Sequence, residues 1–111
     1  MPKFVLQVLS NPVAGQEDEY NRWYNEQHLG DVLKVPGFTS AQRFSLMHAD
    51  ADSVWRYLAL YEFESDDANA TLAALTQRAG TAEMPLSDAM DLSAYSVTPW
   101  TAITPRRSAD T

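Results

Sequence analysis

Tyr24, His28 and Asp31 stand four and three residues apart, a spacing that sets a phenol, an imidazole and a carboxylate on one face of a helix. An imidazole of ordinary pKa, near ~6.5, gives or takes a proton at neutral pH, so His28 is the candidate acid or base. Asp31 could orient the ring and favour the imidazolium, and Tyr24 could donate its hydroxyl to a developing enolate oxygen. Each also has a plainer explanation: a hydrogen-bonded structural histidine, a solvated helix end, a packing aromatic. The other histidine, His48, falls at a strand end beside an acidic turn and reads as exposed and without a role.

The stretch that must position the three is EDEYNRWYNEQHLGDVLKVPGF, residues 17–38. Counted at helical spacing from Tyr20, its inward positions are Tyr20, Trp23, Tyr24, Gln27, His28 and Asp31, while Glu19, Arg22 and Glu26 point outward. A plain core helix would carry Leu, Ile, Val and Ala there. A buried polar group costs a few kcal/mol unless it finds a partner, so this face reads as the wall of a polar-lined pocket. Glu17, Asp18 and Glu19 suit the positive end of the helix dipole, and Pro36-Gly37 ends the segment in a turn that asks for φ > 0 at Gly37. Tyr20, Trp23, Trp55, Tyr57, Tyr61 and Trp100 are the aromatics expected to line a cavity for a flat apolar ligand.

Composition narrows the partners. The 111 residues suffice for one domain with one core, and a net charge of −7 argues against nucleic acid or an anionic membrane surface. Arg106-Arg107 is the only basic pair, in a tail expected to be flexible over residues 105–111 beyond a domain at 1–104. With no cysteine there is no disulfide, thiolate nucleophile or zinc–thiolate site. The two histidines, 20 residues apart, form no metal-binding cluster, and the chain lacks G-x-G-x-x-G, P-loop and G-x-S-x-G motifs. The expectation is therefore neither metal nor organic cofactor. Haem is disfavoured too, since no residue better placed than His28 offers a ligand. The N-terminal apolar run is too short for a signal segment and nothing approaches a membrane span, which predicts a soluble, cytoplasmic protein.

Residues 3–10 alternate with apolar side chains on both faces, as in a strand covered on both sides. Residues 38–48 place Phe38, Ser40, Gln42, Phe44, Leu46 and His48 on one face and Arg43 with Ala41 on the other. Residues 54–63 return as the second arm of a hairpin, and a bridge from Arg43 to Glu62 is expected. A second helix follows, capped by Ser65 or Asp66, packing through Ala68, Leu72, Leu75 and Ala79 and stopping at Gly80. A short helical turn is expected after Pro85, then a last strand at 94–103 whose Pro99 confines it to an edge or a bulge. The order is β-α-β-β-α-β: α+β, ferredoxin-like, with a four-stranded antiparallel sheet. Two helices cover one sheet face only, and the apolar second face predicts a homodimer packed sheet to sheet.

Tyr24-Asn25-Glu26-Gln27-His28, Asp31-Val32, Val35-Pro36-Gly37-Phe38 and Arg43-Phe44 together resemble the EthD-like branch of the dimeric α+β barrel superfamily. The chain departs from the pattern at Gly30-Asp31, where many relatives carry a proline. The resemblance implies a homodimer with one ligand pocket per subunit, between the inner sheet face and the first helix. Its members include muconolactone isomerases, polyketide cyclases and cofactor-free quinone-forming monooxygenases, and fold alone does not choose among them.

The reading these residues favour is a small-molecule enzyme without organic cofactor. It would act by acid–base chemistry, as an isomerase, lyase or cyclase, on an apolar aromatic or cyclic oxygenated substrate. The alternatives are a cofactor-independent monooxygenase of phenolic or quinone-type substrates and a non-catalytic small-molecule-binding protein.

Overall fold

Alternating side chains along the first strand define the two sides of the sheet. The computed structural model describes residues 1–110, so Thr111, the end of the expected tail, lies outside the described residues. Strands β1 (Lys3–Ser10), β2 (Phe38–Ser45), β3 (Tyr57–Glu64) and β4 (Ser96–Thr101) form one antiparallel sheet in the order β2-β3-β1-β4. With one helix between β1 and β2 and another, Ala68–Arg78, between β3 and β4, this is the ferredoxin-like α+β arrangement. In register, Phe4, Leu6, Val8 and Ser10 of β1 lie opposite Phe63, Tyr61, Ala59 and Tyr57 of β3. These side chains meet the helices, and Leu6, Ala59, Tyr61 and Phe63 are buried there. Pro99 sits on β4, the edge strand that pairs only with β1, where its missing N–H costs no ladder bond.

β2 departs from simple alternation. Phe38 pairs with Phe63 and Ser40 pairs with Glu62, so Thr39 is an extra residue in the ladder. The bulge turns Phe38 into the core, away from the Ser40, Gln42 and Phe44 face on which plain alternation places it. Arg43, opposite Ala59, faces the helices, whereas Glu62 lies on the other side. The expected Arg43–Glu62 bridge therefore cannot form, and Glu62 pairs with Arg106 at 3.0 Å. The hairpin strands also stop short of the expected limits, leaving His48 and Trp55 in the connection between them.

The first helix runs from residue 17 to 33 without a break, but not as one α-helix. Glu17–Trp23 and Leu29–Leu33 are α-helical, and Tyr24–His28 between them winds as a π turn closed by Leu29 N–H to the Tyr24 carbonyl. Tyr20, Trp23, Tyr24, Asp31 and Val32 are buried; Gln27, on the expected inward face, is exposed. Gly37 follows at φ +101°, as its turn demands, and its carbonyl accepts the Glu64 N–H at 2.9 Å.

Asp67, not Ser65 or Asp66, caps the second helix, its carboxylate accepting the Ala70 N–H at 3.1 Å. Ser65 is instead buried and bonds the Thr71 hydroxyl at 2.8 Å. Gly80, at φ +85°, follows the helix end. No helical turn forms after Pro85. That segment is irregular and is held by single β-bridges, Ala79 to Met84 and Pro12 to Met90, which bury Met84 and Ala89. The opposite sheet face carries no helix, and Phe44, Leu46 and Trp100 stand exposed at or beside it.

Candidate functional site

The π turn is the local feature that builds the site. In a regular α-helix residues five apart point about 140° from each other, since 3.6 residues make a turn. One wide turn brings such a pair together, and His28 stacks on Trp23 with ring centroids 4.6 Å apart. Tyr24 meets the same imidazole edge-on at 5.1 Å. Trp23 is itself fixed, because its indole N–H donates to the Pro85 carbonyl at 3.1 Å. The histidine ring is thus clamped between two aromatics before any ligand is considered.

His28 and Tyr24 open on a cavity of about 230 Å³ between the helices and the inner sheet face. Leu6 and Val8 form its floor, Val32 and Leu75 its helical sides, and Met84 and Met90 of the irregular segment close it. Tyr61, from the centre of β3, adds to the polar part of the lining with Thr76 and Tyr95. Among the described residues no Asp, Glu, Lys or Arg lines this cavity. Two polar atoms here are sealed from solvent with no hydrogen-bond partner: His28 Nδ1 and Tyr61 Oη.

Burial sets the charge states. It pulls His28 down to about 4, outweighing the upward effect of the Asp31 charge and adding to the downward one of Arg43. The imidazole is therefore neutral at neutral pH. Burial likewise pushes Tyr24 up to about 12 and Tyr61 well above its ordinary value, the neighbouring Tyr24 phenol adding to the latter. Both remain protonated hydroxyls.

The other sequence-predicted site residues lie elsewhere. Asp31 is buried but accepts the Gln27 amide at 2.8 Å. Tyr20 and Tyr57 stand further along the same sheet face, around Arg43. Tyr20 bonds Ser10 Oγ at 2.6 Å, while Tyr57 donates to the Glu17 carboxylate. That bond first, then the Arg56 guanidinium, holds Glu17 below the usual carboxylate range. Arg43 lies 4.3 Å from the centre of the Tyr24 ring and donates to Asn25 and Asn21 at 2.7 and 2.9 Å. Trp55 lies at the hairpin end in an apolar groove with Leu9, Phe44 and Leu46. Trp100 is 56% exposed and bonds Gln7 across the open face. Of the six aromatics expected to hold a ligand, Tyr61 alone lines the His28 cavity. Sequence reasoning passed over Met84 and Met90, whose only signal was an apolar side chain in a segment with no period.

The ferredoxin-like fold is shared with several known structures. The chain matches an EthD family protein from Bacillus halodurans C-125 at 11% identity, covering 89% of this chain and 96% of that one, with a TM-score of 0.50. It matches a dimeric ferredoxin-like protein from an uncultured marine organism at 12% identity, 96% and 100% coverage and a TM-score of 0.60. A third match is a variant of MhuD with two manganese protoporphyrin IX bound per active site, at 19% identity, 95% and 99% coverage and a TM-score of 0.60. In sequence, residues 4–81 match the family described as a domain of unknown function, DUF4286, and the chain belongs to that family. No curated protein matches it.

Proposed function

We propose that the protein is an acid–base enzyme without organic cofactor, an isomerase, lyase or cyclase, acting on a small apolar cyclic oxygenated molecule held against His28. The observation that carries this is a clamped, neutral imidazole in the wall of a mostly apolar cavity. A neutral imidazole accepts a proton from an acidic C–H or O–H of the substrate and returns it at another position. Tyr24, protonated and beside the ring, supports the oxygen on which charge develops. Asp31 acts through charge alone, favouring the imidazolium that proton transfer creates. A cavity near 230 Å³ is roomier than the ~150 Å³ that accepts benzene, which supports a substrate of one or two rings. It is smaller than the ~300–1,000 Å³ of pockets that enclose drug-sized ligands, which favours a small substrate.

The site works in a homodimer formed through the uncovered sheet face. The exposed Phe44, Leu46 and Trp100 support that assembly, as does the dimeric ferredoxin-like relative.

A non-catalytic binding role has two observations in its favour: a base titrating at about 4 is weak, and Asp31 is engaged by Gln27 rather than the imidazole. Deuterium exchange into 2-tetralone, an enolisable two-ring ketone, separates the readings. An acid–base enzyme accelerates exchange without consuming oxygen, and His28→Gln abolishes the acceleration while the ketone still binds. A monooxygenase consumes oxygen with its phenolic substrate present. A binding protein holds the ketone and exchanges nothing.

A further inference from the structure

Arg43 stands opposite Ala59 on the helix-facing side of β2, with its guanidinium among three tyrosine rings. The ring centres of Tyr24, Tyr20 and Tyr57 lie 4.3, 5.2 and 5.3 Å from it. Asp and Glu outnumber Lys and Arg by 15 to 8, yet among the described residues no carboxylate pairs with Arg43. Its Nε is sealed from solvent without a partner, a cost that a methionine packed in the same place would not carry. The other two nitrogens reach the first helix: Nη1 donates to the Asn25 amide oxygen at 2.7 Å and Nη2 to that of Asn21 at 2.9 Å. Asparagine is a poor helix former, and this helix carries two of them one turn apart. Asn21 is oriented for the contact, because its amide N–H donates to the Tyr57 hydroxyl at 3.3 Å, itself bonded to Glu17. Asn25 belongs to the π turn that stacks His28 on Trp23, and Tyr24, under the guanidinium, meets the same imidazole edge-on.

We propose that Arg43 is the positioning residue of the His28 cavity: reaching from β2, its fork on Asn21 and Asn25 and its seat over Tyr24 fix the π turn that clamps the imidazole. This deepens the functional reading above and rests on the same site, although Arg43 does not itself line the cavity. A planar fork suits the role. A guanidinium meets two amide oxygens and a ring face at once, whereas a lysine ammonium is a point charge on a flexible stem. The cation also acts electrically on the imidazole one ring away. The titratable groups that line or flank the cavity are His28, Tyr24 and Asp31 on the helix, Arg43 on β2, Tyr61 on β3 and Tyr95 before β4. The Asp31 charge favours the imidazolium and the Arg43 charge opposes it. Loss of Arg43 therefore raises the affinity of His28 for a proton by two routes, since the cation goes and a loosened clamp admits water to the ring.

The test follows the ring protons of both histidines by NMR through a pH titration with no ligand present. In the wild type the Trp23 ring current should displace the His28 signals, and His28 should titrate at about 4. Exposed His48 serves as the internal reference. Arg43→Met should relax most of that displacement and raise the His28 midpoint toward 6.5. Arg43→Lys keeps the charge but should still relax the displacement, because an ammonium does not span both amides and the ring. Arg56→Met, which strips the neighbouring guanidinium from Glu17 and Tyr57, should leave the His28 signals in place. The proposal is overturned if Arg43→Lys keeps the wild-type His28 signals, or if Arg56→Met moves them as far as Arg43→Lys does. It is equally overturned if Arg43→Met folds and His28 titrates in it as in the wild type; where that variant does not fold, Arg43→Lys decides. Displacement lost in Arg43→Lys, with no deuterium exchange into 2-tetralone by the wild type, would sink the acid–base reading and leave this one standing. Exchange by the wild type, with the His28 signals unmoved in Arg43→Lys, would do the reverse.

Discussion

The imidazole of His28 is costly to keep where it is, and its cost is measurable as pH dependence. Its pKa falls from the ordinary 6.5 to about 4 on folding, so between those values the unfolded chain binds more protons than the folded one. Stability then rises with pH across that window and is lost as pH falls through it, by up to roughly 3 kcal/mol in full. Carboxylates held low, such as Glu17, Glu19 and Asp91, act below about 4.5 and so leave the upper part of the window to the histidine. Denaturant melts at pH 6.5 and 5.0 should show the wild type weakening by about 2 kcal/mol, and His28→Leu should flatten the difference. Equal slopes in the two proteins would mean that His28 is hydrated and titrates normally. At this scale the sequence was informative about identity and poor about partnership. The i−4 and i+3 spacings named Tyr24 and Asp31 as neighbours of His28, but Gln27 reaches the Asp31 carboxylate instead.

Among the elements, β1, the hairpin, both helices and the edge strand were legible because each follows a period of two or 3.6 residues. What escaped are the places where one residue is added to a period. Thr39 in β2 and the π turn at Tyr24–His28 each shift the phase of the side chains around them, moving Phe38 into the core and Gln27 out of it. Nothing in the composition of either stretch marks the insertion. The cavity's closing wall escaped for another reason: residues 84–95 have no repeat, and two isolated bridges hold them. Gly37, by contrast, was readable from Pro-Gly alone, and the structure adds why it is needed. A Cβ there would sit 3.0 Å from the Glu64 carbonyl oxygen, on a backbone at φ +101°. Gly37→Val should therefore destabilise the fold by about 2–4 kcal/mol, read as a lower denaturant midpoint. An unchanged midpoint would mean that the helix-to-β2 turn relaxes without the glycine.

For the whole molecule, the two sheet faces have to be explained together. One is filled by the helices and holds the cavity; the other presents apolar side chains to water, with Trp100 and Leu46 56% and 46% exposed. Light scattering at micromolar concentration should give twice the 12.4 kDa of the single chain, and Phe44→Glu should shift it toward that single mass. A folded, stable wild-type monomer would remove the sheet-to-sheet assembly. The chemistry proposed for the cavity is tested most directly by the rate at which 2-tetralone takes up deuterium in the presence of the protein. Wild type should exceed the buffer rate, and His28→Gln should lower the protein-dependent rate by about 10²–10⁴-fold, with the ketone still bound. Equal exchange rates in the two proteins, both with the ketone in the cavity, would contradict a role for His28 in moving the proton.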